Sequence, residues 1–359
     1  MVGASLIGKH YAVGVLSSGG ELAEDFRAGH FDVHELPIKT KSELHPKLYW
    51  ALPKIIDLVK REKYDLLHAH TRVTQVLAYF VSMAAKVPFV TTAHGFFKPR
   101  FARRFFGCWG KRVIAISLMV AEDLKNSHHV PENKIRVVQN AIDVESLRKR
   151  LSEKDTAAVR ENYGIDKDAI VLASISRLVE DKGQGYLIQA VQKLKSRFPK
   201  IFLVILGDGR EKENLQKLAE SLGLEEKVRI IPGLKDTSIV LSMTDIFVHP
   251  ATTREGFGLS IAEAMIAGKP VVATNISAVN SIIEDGVNGY LAEPKNVDGL
   301  VKKISYVIEN PQGVKPVTER AARMAEKLCS LERMVNEIQD VYEEVMNEIG
   351  DLSALRASR

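Results

Sequence analysis

From Tyr11 onward the chain alternates short apolar runs with amphipathic stretches, and this alternation limits the fold more than any other feature. YAVGVLSSGG reads as a strand, about Tyr11 to Leu16, with a glycine loop, and HFDVHELPI as a second short strand. A helix over about Tyr49 to Glu62 leads into DLLHAH, Asp65 to His70, and a helix over about Thr74 to Lys86 leads into PFVTTAHGF. KRVIAIS, LMVAEDLKN and KIRVVQNAID continue the series. AIVLASI, IFLVIL and VRIIPGL resume it after a charged connection, about Val144 to Lys167. Strands that take turns with helices build parallel sheets through βαβ units, so the fold class is α/β. At 359 residues there is chain for two such domains, each with its own core.

Composition excludes more than it identifies. A content of 45% hydrophobic and 26% charged residues is ordinary for a globular protein, and a net charge of +5 is too mild to point to nucleic acid. Cys108 and Cys329 lie far apart with no metal-ligand partners nearby, which fits a reduced, cytoplasmic setting. No apolar run reaches the roughly 18 to 20 residues needed to span a bilayer, and the N-terminus lacks a signal-peptide pattern. The stretch 96–112, FFKPRFARRFFGCWGKR, interleaves six cations with six aromatics. It reads either as a helix with aromatics in the core and snorkelling arginines, or as a segment lying on an anionic membrane face.

Chemistry gathers in Arg254 to Pro270, REGFGLSIAEAMIAGKP. A helix is expected over about Ser260 to Ala267, with Gly268 and Pro270 as its stop. Glu255 then lies just before the helix and Glu263 in its second turn. The N–H groups of Gly256, Phe257, Gly258 and Leu259 sit at the positive end of the helix, an anion site. Arg177 and Lys182 follow the strand Ile170 to Ile175, and a planar fork with a point charge suits a diphosphate. Gly207 and Gly209 in GDG let the backbone come close to a ligand, although the third glycine of a dinucleotide fingerprint is missing. His94 and His70 end strands at the carboxyl edge, where open α/β sheets gather ligands. His68 and His70 share a face if their strand is regular. The histidines have no further ligand at metal spacing, so no metal site is expected. Asp166-Lys167-Asp168 reads as a structural turn.

The E-x7-E segment with GFG and AEAMIAGKPVVA, the SRLVEDKG segment and TAHGF together resemble the retaining family 4 (group 1) glycosyltransferases of GT-B fold. The likeness covers about residues 10 to 345 and is best in the donor half. It implies two Rossmann-like domains facing a cleft: an acceptor-side domain over 1–148, a nucleotide-sugar domain over 168–330, and a last helix over 331–359 crossing back. It implies transfer of a hexosyl group, with retention, from a nucleoside diphosphate sugar to a glycan or lipid-linked acceptor. Cell-envelope polysaccharide or lipopolysaccharide synthesis is the setting it suggests. Glu263 would hold the ribose, and Glu255 and His94 the donor sugar. Arg177, Lys182 and the Gly256–Leu259 amides would hold the diphosphate, with Gly207 and Gly209 beside it. His70 would lie on the acceptor side. No cofactor and no metal are implied. The location implied is cytoplasmic, with 96–112 as a peripheral contact at the inner membrane face.

Three departures accompany the likeness. The family's opening strand and Gly-rich loop have no counterpart before Tyr11, so the first sheet is expected to lack a central strand. Ala141 replaces the Gly of N-G-V-D. Ser277, Ala278 and Ser281 stand where Gly, Gly and Glu are common, so the donor sugar is not carried over. A non-catalytic GT-B nucleotide-sugar binder and a sugar-nucleotide epimerase stay open as other readings.

Overall fold

The structure, a computed structural model, describes residues 11–40, 42–43, 45–97 and 106–357. Residues 1–10 and the centre of the basic, aromatic stretch, 98–105, lie outside them. The chain divides into two compact units, Met1–Asn140 with Leu331–Arg359, and Ala141–Ser330.

The first unit runs β1 (Gly14–Ser17), α1 (Glu21–Ala28), β2 (Asp32–Glu35), α2 (Pro46–Arg61), β3 (Leu67–Ala69), α3 (Arg72–Ala85), β4 (Phe89–Ala93), β5 (Arg112–Ala115), α4 (Leu118–His128) and β6 (Ile135–Val137). Among the described residues all its paired strands are parallel, and they form two sheets, β1-β2 and β3-β4-β5-β6. A cavity of about 170 Å³ is lined by Gly14 and Leu16 of β1, by Leu67 and Ala69 of β3, and by apolar side chains of α2 and α3. Thr71 caps α3 reciprocally: its hydroxyl accepts from the Thr74 N–H, and the Thr74 hydroxyl accepts from the Thr71 N–H. This cap turns the chain out of β3 and fixes His70 at the corner.

The second unit continues with α5 (Val144–Ser152), α6 (Thr156–Asn162), β7 (Ile170–Ile175), α7 (Gln184–Leu194), β8 (Ile201–Leu206), α8 (Lys212–Ser221) and β9 (Val228–Ile231). Then come α9 (Ser238–Met243), β10 (Ile246–His249), α10 (Leu259–Ile266), β11 (Val271–Thr274), α11 (Ser277–Asn280), β12 (Tyr290–Ala292), α12 (Val297–Glu309) and α13 (Pro311–Leu328). Its six strands make one parallel sheet in the order β12-β11-β10-β7-β8-β9. The strands read IVLASI and IFLVIL because helices cover both faces of such a sheet, leaving no position for a polar alternation. Leu172, Leu187, Ile188, Leu203 and Val248 are fully enclosed in its core. The order reverses between β7 and β10, so the crevice beyond their carboxyl ends is the place for a ligand.

The segment 144–167, expected as a charged connection, instead holds α5 and α6. Asp143 and Asp155 cap them, accepting from the N–H groups of Ser146, and of Ala157 and Ala158. Arg160 then ties α6 to the sheet by donating to the Asp245 carboxylate and the Met243 carbonyl.

The final helix, α14 (Leu331–Ala357), falls in the first unit. Arg112 of β5 and Arg136 of β6 both grip Glu344, and their hydrogen bonds hold its carboxyl down at about 2. Among the described residues no helix is long and apolar enough to cross a membrane.

Candidate functional site

Two loops meet at the switch point of the second sheet. One leaves β7 at Ser176 and the other leaves β10 at Pro250. They are stitched backbone to backbone, since the Thr252 N–H donates to the Asp181 carbonyl at 2.9 Å. Gly183 has a φ of 67° and lies against the Pro250 carbonyl, where a Cβ would collide; only glycine suits both constraints. The stitching sets Lys182 beside Glu255, with Nζ 2.5 Å from Oε2. His249, the last residue of β10, places Nε2 2.9 Å from the same oxygen. The other carboxylate oxygen, Oε1, accepts from the Gly256 N–H at 2.9 Å.

All three side chains are buried, with His249 at 2%, Lys182 at 9% and Glu255 at 13% exposed. Burial alone would push the Glu255 carboxyl up. The hydrogen bonds and charges of His249 and Lys182 outweigh it and hold the group well below the usual carboxylate range. Glu255 is thus a fixed anion, and Lys182 Nζ faces it.

The expected helix forms as α10. Gly258 is its N-cap in the left-handed region, and no side chain caps it, which leaves first-turn N–H groups for solvent or a ligand. One expectation needs correction: the Gly256 N–H is not open to a ligand, because Glu255 takes it. The Phe257 side chain is buried in the core, so only its backbone can serve the site, whereas Leu259 is 40% exposed. Glu263 lies in the second turn, half-buried, with the Thr237 hydroxyl and Arg150 as neighbours. Burial raises its pKa, opposed by the Thr237 hydrogen bond and the Arg150 charge.

Arg177 is exposed, and its loop is pinned by the buried Gln184, whose Nε2 donates to the Ser176 hydroxyl and the Arg177 carbonyl. Gly207 and Gly209 have a packing role within the chain. A Cβ at Gly207 would strike the Ser176 carbonyl and one at Gly209 the Leu178 carbonyl. Their missing side chains let the turn after β8 pack on the chain's own Ser176–Leu178 loop. That close approach is structural and does not by itself imply a ligand.

In the first unit, His70 follows β3 and His94 follows β4. His70 Nδ1 is 3.1 Å from His94 Nε2, with the two rings stacked, and the His68 ring lies tilted against His70 with centroids 4.1 Å apart. His68 Nε2 lies 2.7 Å from the Thr92 hydroxyl and Nδ1 2.6 Å from the Tyr342 hydroxyl of α14. Desolvation, and then the His94 charge, lower His70 to about 4, and desolvation lowers His94 as well. Both residues keep solvent-exposed surface, so His68, which is half-buried, is the ring most firmly held neutral. Among the described residues no group of three or more His, Cys, Asp or Glu is placed to hold a metal ion.

Sequence reasoning missed His249 and Gln184. His249 ends an apolar strand run and reads as core, and its partner Glu255 follows only after a loop. Nothing local joins them.

Two family models match: "Glycosyltransferase Family 4" over residues 3–146 and "Glycosyl transferases group 1" over residues 155–327. An uncharacterized glycosyltransferase of Methanocaldococcus jannaschii is 26% identical over 368 residues, covering 96% of this chain and 93% of the relative. An Escherichia coli enzyme named UDP-Gal:alpha-D-GlcNAc-diphosphoundecaprenol alpha-1,3-galactosyltransferase is 24% identical over 315 residues, covering 81% and 78%. The crystal structure of Anabaena HepE with UDP and glucose superposes with a TM-score of 0.80 at 24% identity, covering 95% of this chain and 96% of that one. A glycosyltransferase from Rickettsia africae superposes with a TM-score of 0.84 at 22% identity, covering 96% and 93%. With one family model on each half, this chain belongs to the group 1, family 4 glycosyltransferases of GT-B fold and is a glycosyl-transferring enzyme.

Proposed function

We propose that the chain transfers a hexosyl group, with retention, from a nucleoside diphosphate sugar to a hydroxyl of a glycan or lipid-linked acceptor in cell-envelope polysaccharide synthesis. The observation that carries this is the buried Lys182–Glu255 pair at the switch point, beside the uncapped N-terminus of α10. Glu263 takes the ribose hydroxyls and Glu255 a hydroxyl of the donor sugar. Arg177, Lys182 and the first-turn amides of α10 neutralise the diphosphate as the bond from sugar carbon to phosphate oxygen breaks. The acceptor oxygen bonds to the same face of that carbon, and its proton passes to the departing diphosphate. His94 is assigned to the donor sugar and His70 to the acceptor. Cationic side chains do the work that a metal does elsewhere, so no metal is assigned. The acceptor class is supported by the name of the E. coli relative, which acts on a diphosphoundecaprenol-linked sugar.

Calorimetric titration of UDP and GDP into the protein, beside Glu263→Ala and Arg177→Ala, tests the site. One nucleotide is expected to bind at micromolar strength and to lose at least about tenfold, ~1.4 kcal/mol, in each variant. Failure of both nucleotides to bind sinks the reading.

A further inference from the structure

The pairing at Glu255 raises a difficulty for any anionic ligand. A lysine already neutralised by a buried carboxylate offers no net charge to a diphosphate. Pulling it away would strand an anion that is 13% exposed, and isolating one member of a buried pair is strongly unfavourable. Glu255, however, keeps two other partners that do not move with the lysine. One is the backbone N–H of Gly256, on Oε1. The other is His249, on Oε2, which shares that oxygen with Lys182. His249 sits on β10 at 2% exposure, and β10 is a central strand. Both ring nitrogens are buried and neither has a hydrogen-bond partner of good geometry; Nε2 is the one that lies against the carboxylate, 2.9 Å from Oε2.

We propose that His249 is a positioning residue that holds the Glu255 carboxylate in place and thereby frees Lys182 to change partner from Glu255 to the phosphate oxygens of an incoming nucleoside diphosphate. The inference rests on the proposed donor site and deepens it. No covalent step is involved. One charge-assisted hydrogen bond, Lys182 to Glu255, is exchanged for another, Lys182 to phosphate, while His249 Nε2 and the Gly256 N–H remain against the carboxylate. With an apolar side chain at 249, Lys182 would be the only side-chain partner of Glu255. The pair would then hold together against the ligand.

The test uses three substitutions at one position. In shape, the side-chain nitrogen of Gln overlays the Nε2 of His, whereas that of Asn overlays Nδ1 and stops short of Glu255. UDP and GDP are titrated into native protein, His249→Gln, His249→Asn and His249→Leu, with Arg177→Ala and Glu263→Ala as controls on the site. His249→Leu and His249→Asn are expected to weaken the bound nucleotide by about tenfold. His249→Gln should stay within about threefold of native. A purely structural role would not separate Gln from Asn in this way. Should His249→Leu fail to fold, the Gln and Asn pair decides alone. If the controls lose binding but Asn and Gln bind alike, the partner exchange is wrong and the donor site stands. If native protein binds neither nucleotide, or the controls bind as native does, the donor site fails and this inference fails with it.

Discussion

The two units use the same parallel βαβ construction to different degrees of closure. The second joins six strands into one sheet with an enclosed core, and its charged groups meet at the one place where strand order reverses. The described residues of the first place its strands in a pair and a quartet, with a cavity of about 170 Å³ lined by β1 and β3. In the second unit the backbone itself is stitched around the site, through Thr252 to Asp181 and Gly183 against Pro250. In the first, the histidines at the strand ends are held by one another and by side chains from Thr92 and Tyr342. A continuous sheet delivers charged groups to fixed positions, whereas a divided one relies on side-chain contacts to do so.

The sharpest way to break this comparison is to truncate one core leucine in each unit. Leu203 is fully enclosed in the second sheet, while Leu77 of α3 is nearly buried but borders the cavity. Leu203→Ala should cost about 4 kcal/mol, because close-packed neighbours relax little around the void. Leu77→Ala should cost nearer 2 kcal/mol, since part of its surroundings is already empty. Denaturant unfolding followed by hydrogen exchange in each unit reads both. Equal costs would mean the divided sheet is packed as tightly as the continuous one.

Much of the second unit was legible because its signals are local. The strand Ile170–Ile175 appears as an unbroken apolar run, and the helix carrying Glu263 begins within a residue of where Gly258 and the Ala, Ile and Met pattern place it. The site's supports were not legible, for they join residues that only the fold brings together. His249 meets Glu255 across a loop, and Tyr342 meets His68 from 274 positions away. Gly207 and Gly209 carried a true signal of close approach, and the structure shows one object of it, the chain's own Ser176–Leu178 loop. At 144–167 the capping aspartates Asp143 and Asp155 were present in the sequence, but a dense charge pattern outweighed them. Charge reads as solvated connection unless the cap spacing is weighed against it.

Filling space should separate the units by a smaller but opposite-signed effect. Ala78 of α3 lines the cavity, whereas Ala190 of α7 is fully enclosed. Ala190→Val should destabilise by about 1–3 kcal/mol through overpacking. Ala78→Val should be neutral to within about 0.5 kcal/mol, the added methyls entering empty space and offsetting the lower helix propensity. Thermal unfolding of both variants is the check. A loss at Ala78 as large as that at Ala190 would show that the cavity walls are too stiff to accept a side chain.

Acid should distinguish the units by the smallest effect, and its sign follows from which state holds the proton. Burial, then the charges of His70 and His94, keep His68 neutral in the folded first unit, well below its ordinary value of 6.5. The unfolded chain takes up that proton as pH falls below about 6.5, so the folded state loses stability on acidification. In the second unit the lowered pKa of Glu255 contributes stability that persists until pH falls below about 4.5. Glu263, with a raised pKa, works in the favourable direction, because its folded form binds a proton more readily than the unfolded chain does. Between pH 6.5 and 4.5 the amides of β3 and β4 should therefore lose hydrogen-exchange protection while those of β7 and β8 keep theirs, after correction for intrinsic rates. His68→Asn, which carries no titrating ring, should flatten the slope in β3 and β4, leaving the contributions of His70 and His94. Parallel loss in both sheets would mean that the fixed charges of the second unit give it no advantage in acid, and the contrast between the two constructions would then rest on packing alone.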